Sequence, residues 1–121
     1  MLPLPLEGIR VLDSTYVFAL PYAGGLLADF GAEVIKIEGP GRPDIQPRSG
    51  GLSGVFPESD PGEDWWNRSS TYNLLNRGKR SLTLDLTDPR GRDLFRELVS
   101  ISDVVMENFT PRVMRRWELD Y

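Results

Sequence analysis

Acidic and amide side chains follow each short apolar run of the sequence. Asp13 closes the first run, Glu38 the second and Asp85 the third, and Glu107 and Asn108 follow the fourth. Carboxylates at such positions could serve as nucleophiles or as general acids and bases. Parallel strands bring their carboxyl ends to one edge of a sheet, where open α/β sheets bind ligands. The pattern therefore predicts a ligand site at that edge, although a turn-forming role is favoured for Asp85.

Two groups of arginine-rich basic residues could bind a phosphate. The first is the RGKR segment at 77–80, and the second comprises Arg112, Arg115 and Arg116 at the opening of a helix. A guanidinium matches phosphate geometry, and a helix amino terminus adds a favourable dipole. Because solvated charge is the commoner explanation for such groups, neither identifies a site by itself.

Composition restricts the available chemistry. The 121 residues include 14 Lys and Arg against 18 Asp and Glu, a net charge of −4, with no His and no Cys. This excludes disulfides, Cys nucleophiles, His-based triads and the usual zinc sites within the chain, so we expect no metal site. The negative charge argues against a nucleic-acid partner. No apolar run approaches the roughly 18 residues of a membrane span, so we expect a cytoplasmic protein with no membrane partner.

The first forty residues predict a βαβ unit that would position the strand-end residues. Strands are expected at residues 9–13 and 33–38, with a helix that begins at Pro21 and ends at Gly31. The helix is expected to bury an apolar stripe formed by Tyr22, Leu26 and Phe30. Gly24 and Gly25 inside it indicate a close backbone neighbour or ligand, since glycine weakens a helix. A βαβ unit makes its two strands parallel.

The remainder continues the same alternation after an irregular loop. Residues 39–70 hold six of the 12 Gly and five of the 10 Pro, with one short helical turn expected near 63–66. One or two helical turns at 71–76 and strands at 81–85 and 103–106 follow. Asp88-Pro89 and Thr110-Pro111 are cap-plus-proline signatures of two further helices. The first of these helices is expected to bury Leu94, Phe95, Leu98, Val99 and Ile101.

A dinucleotide-binding fold is a natural alternative for this pattern. Glu38 ends the second strand about where such folds keep their ribose-binding acid. However, the turn after the first strand contains no G-x-G-x-x-G, so its backbone cannot approach a pyrophosphate in that manner. A nicotinamide cofactor is therefore not expected.

Four ordered blocks of the sequence resemble the amino-terminal part of the family III CoA-transferases, the CaiB/BaiF group that includes formyl-CoA and carnitine CoA-transferases. The blocks are LEGIRVLD at 6–13, LADFGAEVIKIE at 27–38, NRGKRSLTLDL at 76–86 and DVVMENF at 103–109. The resemblance spans nearly the whole chain except the 39–70 loop. It implies an α/β fold with a Rossmann-like parallel sheet and flanking helices, of which residues 1–121 form the amino-terminal part of the CoA-binding domain.

The resemblance also implies a function. Members of this family move CoA between carboxylic acids through a mixed anhydride on an aspartate, and their full-length chains form interlocked homodimers. No residue of this chain matches that aspartate, so no catalytic residue is assigned. The expected ligands are acyl-CoA and a carboxylic acid as substrates, with no tightly bound cofactor. We therefore expect the chain to be a CoA-binding portion that is inactive alone.

The family's CoA-contacting positions carry over residue by residue. The turn after the first strand matches at Tyr16, Val17, Phe18 and Ala19, and later positions match at Leu84, Asn108, Phe109 and Arg116. The family often has a basic residue directly after the second strand, where this chain has Gly39-Pro40, and Arg42 is expected to replace it. Phe18 stands where formyl-CoA-type members commonly have Gln, which favours a more apolar acyl group.

Two alternatives remain open at this point. An acyl-CoA racemase of the same fold family would use an acid/base pair around the α-carbon instead of a nucleophile. A non-catalytic CoA-binding or assembly module would need neither set of groups.

Overall fold

The computed structural model describes residues 2–44, 48–49 and 56–120, which build one parallel sheet. Its strands are β1 (Arg10–Asp13), β2 (Glu33–Glu38), β3 (Arg80–Thr83) and β4 (Val104–Met106), in the order β3-β2-β1-β4. All three pairings are parallel, with Leu12 opposite both Ile35 and Val105. The predicted α/β class and its Rossmann-like sheet are confirmed.

Helices flank this sheet in the described residues. They are α1 (Ala19–Asp29), α2 (Trp65–Arg68), α3 (Ser70–Leu75), α4 (Pro89–Ser100) and α5 (Pro111–Arg116). The predicted 39–70 loop thus contains α2 and a 3₁₀ turn at Pro57–Ser59, while its residues 45–47 and 50–55 lie outside the described residues. No helix of the described residues is long and apolar enough to cross a membrane.

The predicted helix signals act largely as expected. Asp88 accepts a hydrogen bond from the backbone N–H of Arg90 at 2.8 Å, and Pro89 is the first residue of α4. Gly31 follows α1 with φ of +101°, the left-handed conformation that favours glycine after a helix. However, α1 begins two residues before Pro21, because Pro21 fits anywhere in the first turn, where its missing N–H costs nothing.

Apolar side chains pack on both sides of the sheet. On one side Phe95 of α4 packs with Leu12 and Ile37 of the strands and with Leu84 and Leu86 after β3. On the other side Val11, Ala32 and Val34 form a smaller cluster with Leu27 and Ala28 of α1. The two sides bury the central strands β1 and β2, so their carboxyl ends are held in fixed positions.

The predicted stripe of α1 is wrong. Tyr22, Leu26 and Phe30 are exposed, and the helix instead buries Pro21, Gly24 and Gly25. The reason is the space that polar side chains occupy beneath the helix. A Cβ at Gly24 would lie 2.8 Å from Asp13 Oδ2, and one at Gly25 would lie 2.9 Å from Arg77 Nη1. The predicted close neighbours of these glycines are therefore confirmed.

The predicted core stripe of α4 is correct only in part. Phe95 is buried and Leu98 packs against its cluster, but Leu94, Val99 and Ile101 are exposed. Gly91 explains the difference, since a Cβ there would meet the carbonyl of Asp85 and the bare backbone makes this close approach possible. The helix therefore presents the narrow Gly91 and Phe95 face to the sheet.

Candidate ligand site at the sheet edge

A cleft of about 250 Å³ opens at the carboxyl ends of the strands. Residues after β1, β2, β3 and β4 contribute to its lining, together with Trp117 after α5. The residues that line it include Ser14, Tyr16, Arg42, Leu84, Phe109 and Trp117. This is the edge at which the strand-end residues predicted a ligand site.

Asn108 fixes the turn between β1 and α1. Its Oδ1 accepts a hydrogen bond from Tyr16 N–H at 3.0 Å, and its Nδ2 donates one to the Tyr16 carbonyl at 2.8 Å. Ser14, which follows β1, adds a further link to β4, because its N–H donates to the Met106 carbonyl at 3.0 Å. The end of β4 thereby holds the main chain of Tyr16 from both sides.

Asp44 holds the next residue of the same turn. Val17 has φ of +72°, a conformation that is strained for a β-branched residue. Its N–H donates to both carboxylate oxygens of Asp44, at 3.1 and 3.0 Å. Asp44 is 2% exposed and lies 3.9 Å from the Nζ of Lys36. Burial raises the pKa of Asp44, and the Lys36 ammonium opposes part of that rise.

Arg42 presents its side chain at the rim. Its carbonyl accepts a hydrogen bond from the Tyr16 hydroxyl at 2.8 Å, and its N–H donates to the Gly39 carbonyl at 3.1 Å. The main chain is thus held while the residue stays exposed. Burial raises the pKa of Tyr16, so this phenol remains a hydrogen-bond donor at neutral pH.

Aromatic side chains form one wall of the cleft. The ring centroids of Tyr16 and Phe109 are 5.5 Å apart, and those of Phe109 and Trp117 are 5.0 Å apart in an edge-to-face arrangement. Such spacings are favourable for aromatic pairs. With Leu84 they give an apolar side to the cleft, which Arg42 also lines.

The strand-end carboxylates are all engaged within the protein. Asp13, 0% exposed, pairs with the Nζ of Lys79 at 2.7 Å. Burial lowers the pKa of Lys79, and the charge of Asp13 opposes that shift. Asp85 accepts from Thr87 N–H at 2.9 Å, which is the expected turn, and Glu107 accepts from Phe109 N–H at 2.8 Å.

Glu38 is the most heavily bonded of these carboxylates. It accepts hydrogen bonds from the Tyr72 hydroxyl, from Arg48 Nη2 at 2.9 Å and from the backbone N–H of Asp44 at 2.8 Å. Burial alone would raise the pKa of Glu38, but the hydrogen bonds from Arg48 and Tyr72 outweigh it and lower that pKa. Glu38 therefore organises the segment that carries Asp44.

The structure brings together some of the predicted site residues and leaves others outside the cleft. Tyr16, Arg42, Leu84 and Phe109 line it, and Asn108 supports it. The residues that do not line it are Val17, Phe18, Ala19 and Arg116. Arg116 is exposed on α5, and Phe18 and Ala19 lie at the start of α1.

The first basic cluster is used for internal ion pairs. Arg77 pairs with Asp29 at 2.6 Å and Arg80 with Glu33 at 3.1 Å. With Lys79 bonded to Asp13, this segment connects α1 to the sheet. Within the described residues no group of three or more acidic side chains could hold a metal ion.

Sequence reasoning missed Asp44, Lys36 and Tyr72. Lys36 Nζ donates to the Thr15 carbonyl, and its side chain is 1% exposed. A buried lysine in an alternating strand reads as a solvent-facing residue, so only the scarcity of lysine in an arginine-rich chain could have signalled it. Asp44 lies in a segment without periodicity, and no local pattern distinguishes it.

Comparison with known proteins identifies relatives of this chain. The chain is 45% identical over 117 residues to a succinate–glutarate CoA-transferase of Agrobacterium fabrum, an alignment that covers 97% of this chain and 28% of that protein. It is 43% identical to a succinyl-CoA:glutarate CoA-transferase of Mus musculus, covering 97% of this chain and 24% of that protein. The chain thus spans roughly a quarter of the length of these relatives.

Solved structures share the fold. A CaiB/BaiF family protein from Brucella suis superposes with a TM-score of 0.80 at 36% identity, covering 99% of this chain and 30% of that one. The protein Rv3272 of Mycobacterium tuberculosis gives 0.76 at 36% identity, covering 97% of this chain and 29% of that one. The model of CoA-transferase family III matches residues 6–121. The chain belongs to family III of the CoA-transferases.

Proposed function

We propose that this chain is the CoA-binding portion of an acyl-CoA:carboxylate CoA-transferase, with residues 1–121 as the amino-terminal part of its CoA-binding domain. The observation that carries the proposal is the cleft at the carboxyl edge of the sheet. It combines an exposed arginine, Arg42, with an apolar wall of Tyr16, Phe109 and Trp117. This combination suits CoA, which carries phosphates at one end and an apolar arm.

Each cleft residue has a proposed part in binding. Arg42 pairs with a CoA phosphate, because its main chain is anchored by Tyr16 and its guanidinium is free to reach solvent. Leu84 and Phe109 contact the arm. Asn108 acts indirectly, by holding the Tyr16 main chain. Val17, Phe18, Ala19 and Arg116 are proposed to meet CoA beyond the cleft.

The chemical step is proposed to use an aspartate that this chain does not contain. Its carboxylate oxygen bonds to the thioester carbonyl carbon, the C–S bond breaks and CoA leaves as a thiolate. The acyl group then remains on the aspartate as a mixed anhydride. The buried ion pairs of Asp13 with Lys79 and of Glu38 with Arg48 support this assignment, since they hold these two carboxylates away from a substrate.

A dicarboxylic acid is the proposed substrate class. The relatives named above act by name on succinate or succinyl-CoA and on glutarate, and other relatives are named for malate, citramalate and oxalate. Succinate and glutarate are therefore the first acceptors to assay. Phe18 in place of the common Gln argues against formyl-CoA as the donor.

Isothermal titration calorimetry with CoA tests the binding proposal on this chain. We expect binding that weakens about tenfold in Arg42→Ala, the loss of one charged hydrogen-bonding partner. Arg10→Ala is the matched control, because Arg10 begins β1 at the opposite edge of the sheet and does not line the cleft. No binding by the wild-type chain, or equal effects of the two substitutions, would contradict the proposal.

Trapping with hydroxylamine tests the reaction on the complete gene product. A transferase incubated with succinyl-CoA and hydroxylamine should accumulate a hydroxamate on the enzyme. A racemase should instead exchange the α-proton of a branched acyl-CoA for deuterium without trapping. CoA binding without hydroxamate formation and without α-proton exchange would identify a non-catalytic module.

A further inference from the structure

We propose that Asp44 is a positioning residue that holds the β1–α1 turn in its ligand-binding conformation by accepting the N–H of Val17. The inference rests on the proposed CoA-binding function. It assigns a role to a residue that does not itself line the cleft. The segment after β2 in which this residue lies shows no periodicity in sequence.

The first step of the argument is the conformation of Val17. A φ of +72° crowds the Cβ against the neighbouring carbonyl, and a β-branched residue adopts this region least readily. Such a residue persists there only where the surroundings impose the conformation. The surroundings here are Asn108 on the Tyr16 side and Asp44 on the Val17 side.

The second step is the burial of Asp44. A carboxylate that is 2% exposed is costly unless its oxygens are bonded, and both oxygens receive the Val17 N–H. Its own N–H donates to Glu38 Oε2 at 2.8 Å, so its main chain is fixed to the end of β2. Lys36 supplies a nearby positive charge at 3.9 Å. The Asp44 carboxylate, which accepts the Val17 N–H, is thus held next to the end of β2.

The third step connects the turn to the ligand. Tyr16 precedes Val17, lines the cleft and holds the Arg42 main chain through its hydroxyl. Release of the Val17 N–H would let the turn relax toward an unstrained φ and would rotate Tyr16. Both the aromatic wall and the placement of Arg42 would change, although Asp44 does not itself line the cleft.

A double-mutant cycle with CoA affinity as its readout tests the proposal. We expect Asp44→Ala to raise the Kd for CoA about tenfold and Asp44→Asn, which keeps an acceptor oxygen, by less than about threefold. Glycine adopts positive φ freely. In a Val17→Gly background, Asp44→Ala should therefore change the Kd by less than about threefold, a rescue that general loss of stability would not produce.

Glu33→Gln is the matched control. Glu33 lies at the opposite end of β2 and pairs with Arg10 at 2.6 Å and Arg80 at 3.1 Å, so its substitution removes ion pairs without touching the turn. Its Kd should stay at the wild-type value. A folded Asp44→Ala variant with wild-type affinity, or an equal effect in both backgrounds, would overturn the proposal. If Asp44→Ala folds only in combination with Val17→Gly, that rescue supports the proposal. If neither the single nor the double variant folds, the proposal is overturned.

Amide hydrogen exchange separates this proposal from the proposed function. The Val17 N–H should lose protection in Asp44→Ala and keep it in Asp44→Asn, while the Ser14 N–H, bonded to Met106, stays protected in both. If the wild-type chain binds no CoA, the proposed function fails, and the exchange still decides whether Asp44 holds the turn. Unchanged Val17 protection in Asp44→Ala would overturn that role.

Discussion

The chain has two lysines, and both donate hydrogen bonds to residues in or next to the β1–α1 turn. Lys36 bonds the Thr15 carbonyl from β2, and Lys79 bonds Asp13, the Pro21 carbonyl and Asn76 from the loop before β3. An ammonium group offers three donors, which matches the three acceptors around Lys79. An ammonium is a compact point charge, whereas a guanidinium is a larger planar group. The small group suits position 79, where Lys79 Nζ would lie 3.1 Å from a Cβ at Gly24.

Lys79→Met should be strongly destabilising. It leaves Asp13 fully buried without its counter-ion, which costs about 3–5 kcal/mol of the free energy of unfolding. The double variant Asp13→Asn/Lys79→Met removes the uncompensated charge and should recover part of that loss. Urea unfolding of the three proteins measures both effects. A single variant as stable as the wild type would show that the pair contributes nothing.

The elements around the site depend on close backbone approaches that side-chain patterns do not reveal. Gly24 of α1 faces Asp13 and Lys79, so the helix lies against a buried ion pair instead of an apolar surface. The strands and their parallel orientation could be predicted, because short apolar runs alternate with capped helices. The buried faces of α1 and α4 could not, since the exposed Tyr22, Leu26 and Leu94 follow helical spacing as well as any core residue does.

The site shows the same division between local and long-range information. Its location at the strand ends follows from topology, and Asn108 was found through a motif. Asp44 and Lys36 owe their roles to contacts with Val17 and Thr15, which are distant in sequence. Only the folded chain brings these partners together.

Gly24→Ala should destabilise the protein although alanine favours helices. The added Cβ would lie 2.8 Å from Asp13 Oδ2, and that oxygen is held by Lys79 and cannot move freely. We expect a loss of about 1–3 kcal/mol in the free energy of unfolding from overpacking. Gly41→Ala is the control, with open space around the new Cβ and an expected change within about 0.5 kcal/mol. A Gly24→Ala variant more stable than the wild type would contradict the close approach.

Glu38 of β2 bonds Arg48 and the Tyr72 hydroxyl of α3. These contacts should make the free energy of unfolding depend on pH in the acid range. The pKa of Glu38 is lowered in the folded chain, so its contribution is complete above the ordinary value of 4.5 and is lost as pH falls through the lowered one. Glu38→Gln should therefore be less stable than the wild type at pH 7, and the difference should shrink as the pH falls below 4.5. Denaturant unfolding across this range measures it.

Tyr72→Phe provides the matched comparison for that prediction. It removes the hydroxyl that bonds Glu38 but keeps the ring that lies 3.7 Å from the Arg48 guanidinium. The folded-state pKa of Glu38 should rise, which weakens the pH dependence without abolishing it. A pH dependence equal to that of the wild type would show that the hydroxyl does not stabilise the carboxylate.

For the whole molecule, the distribution of apolar surface is uneven. The ligand cleft occupies the carboxyl edge of the sheet, whereas Val104 and Val105 expose apolar side chains on β4, the strand at one side of the sheet. In the described residues β4 pairs only with β1. An apolar strand with one unpaired side favours association between chains.

Val105→Lys should suppress self-association of this chain without loss of stability. Val105 is 40% exposed, so the lysine stem can lie along the strand while its ammonium reaches water, and charged edge residues oppose strand pairing. Light scattering at increasing protein concentration should show larger species for the wild type than for the variant. The free energy of unfolding should change by less than about 0.5 kcal/mol, as for most exposed sites. Arg112→Lys, a charge-conserving change on α5, should scatter as the wild type does. If Val105→Lys also associates as the wild type does, the association uses another surface, and the cleft edge with its aromatic wall becomes the next to test.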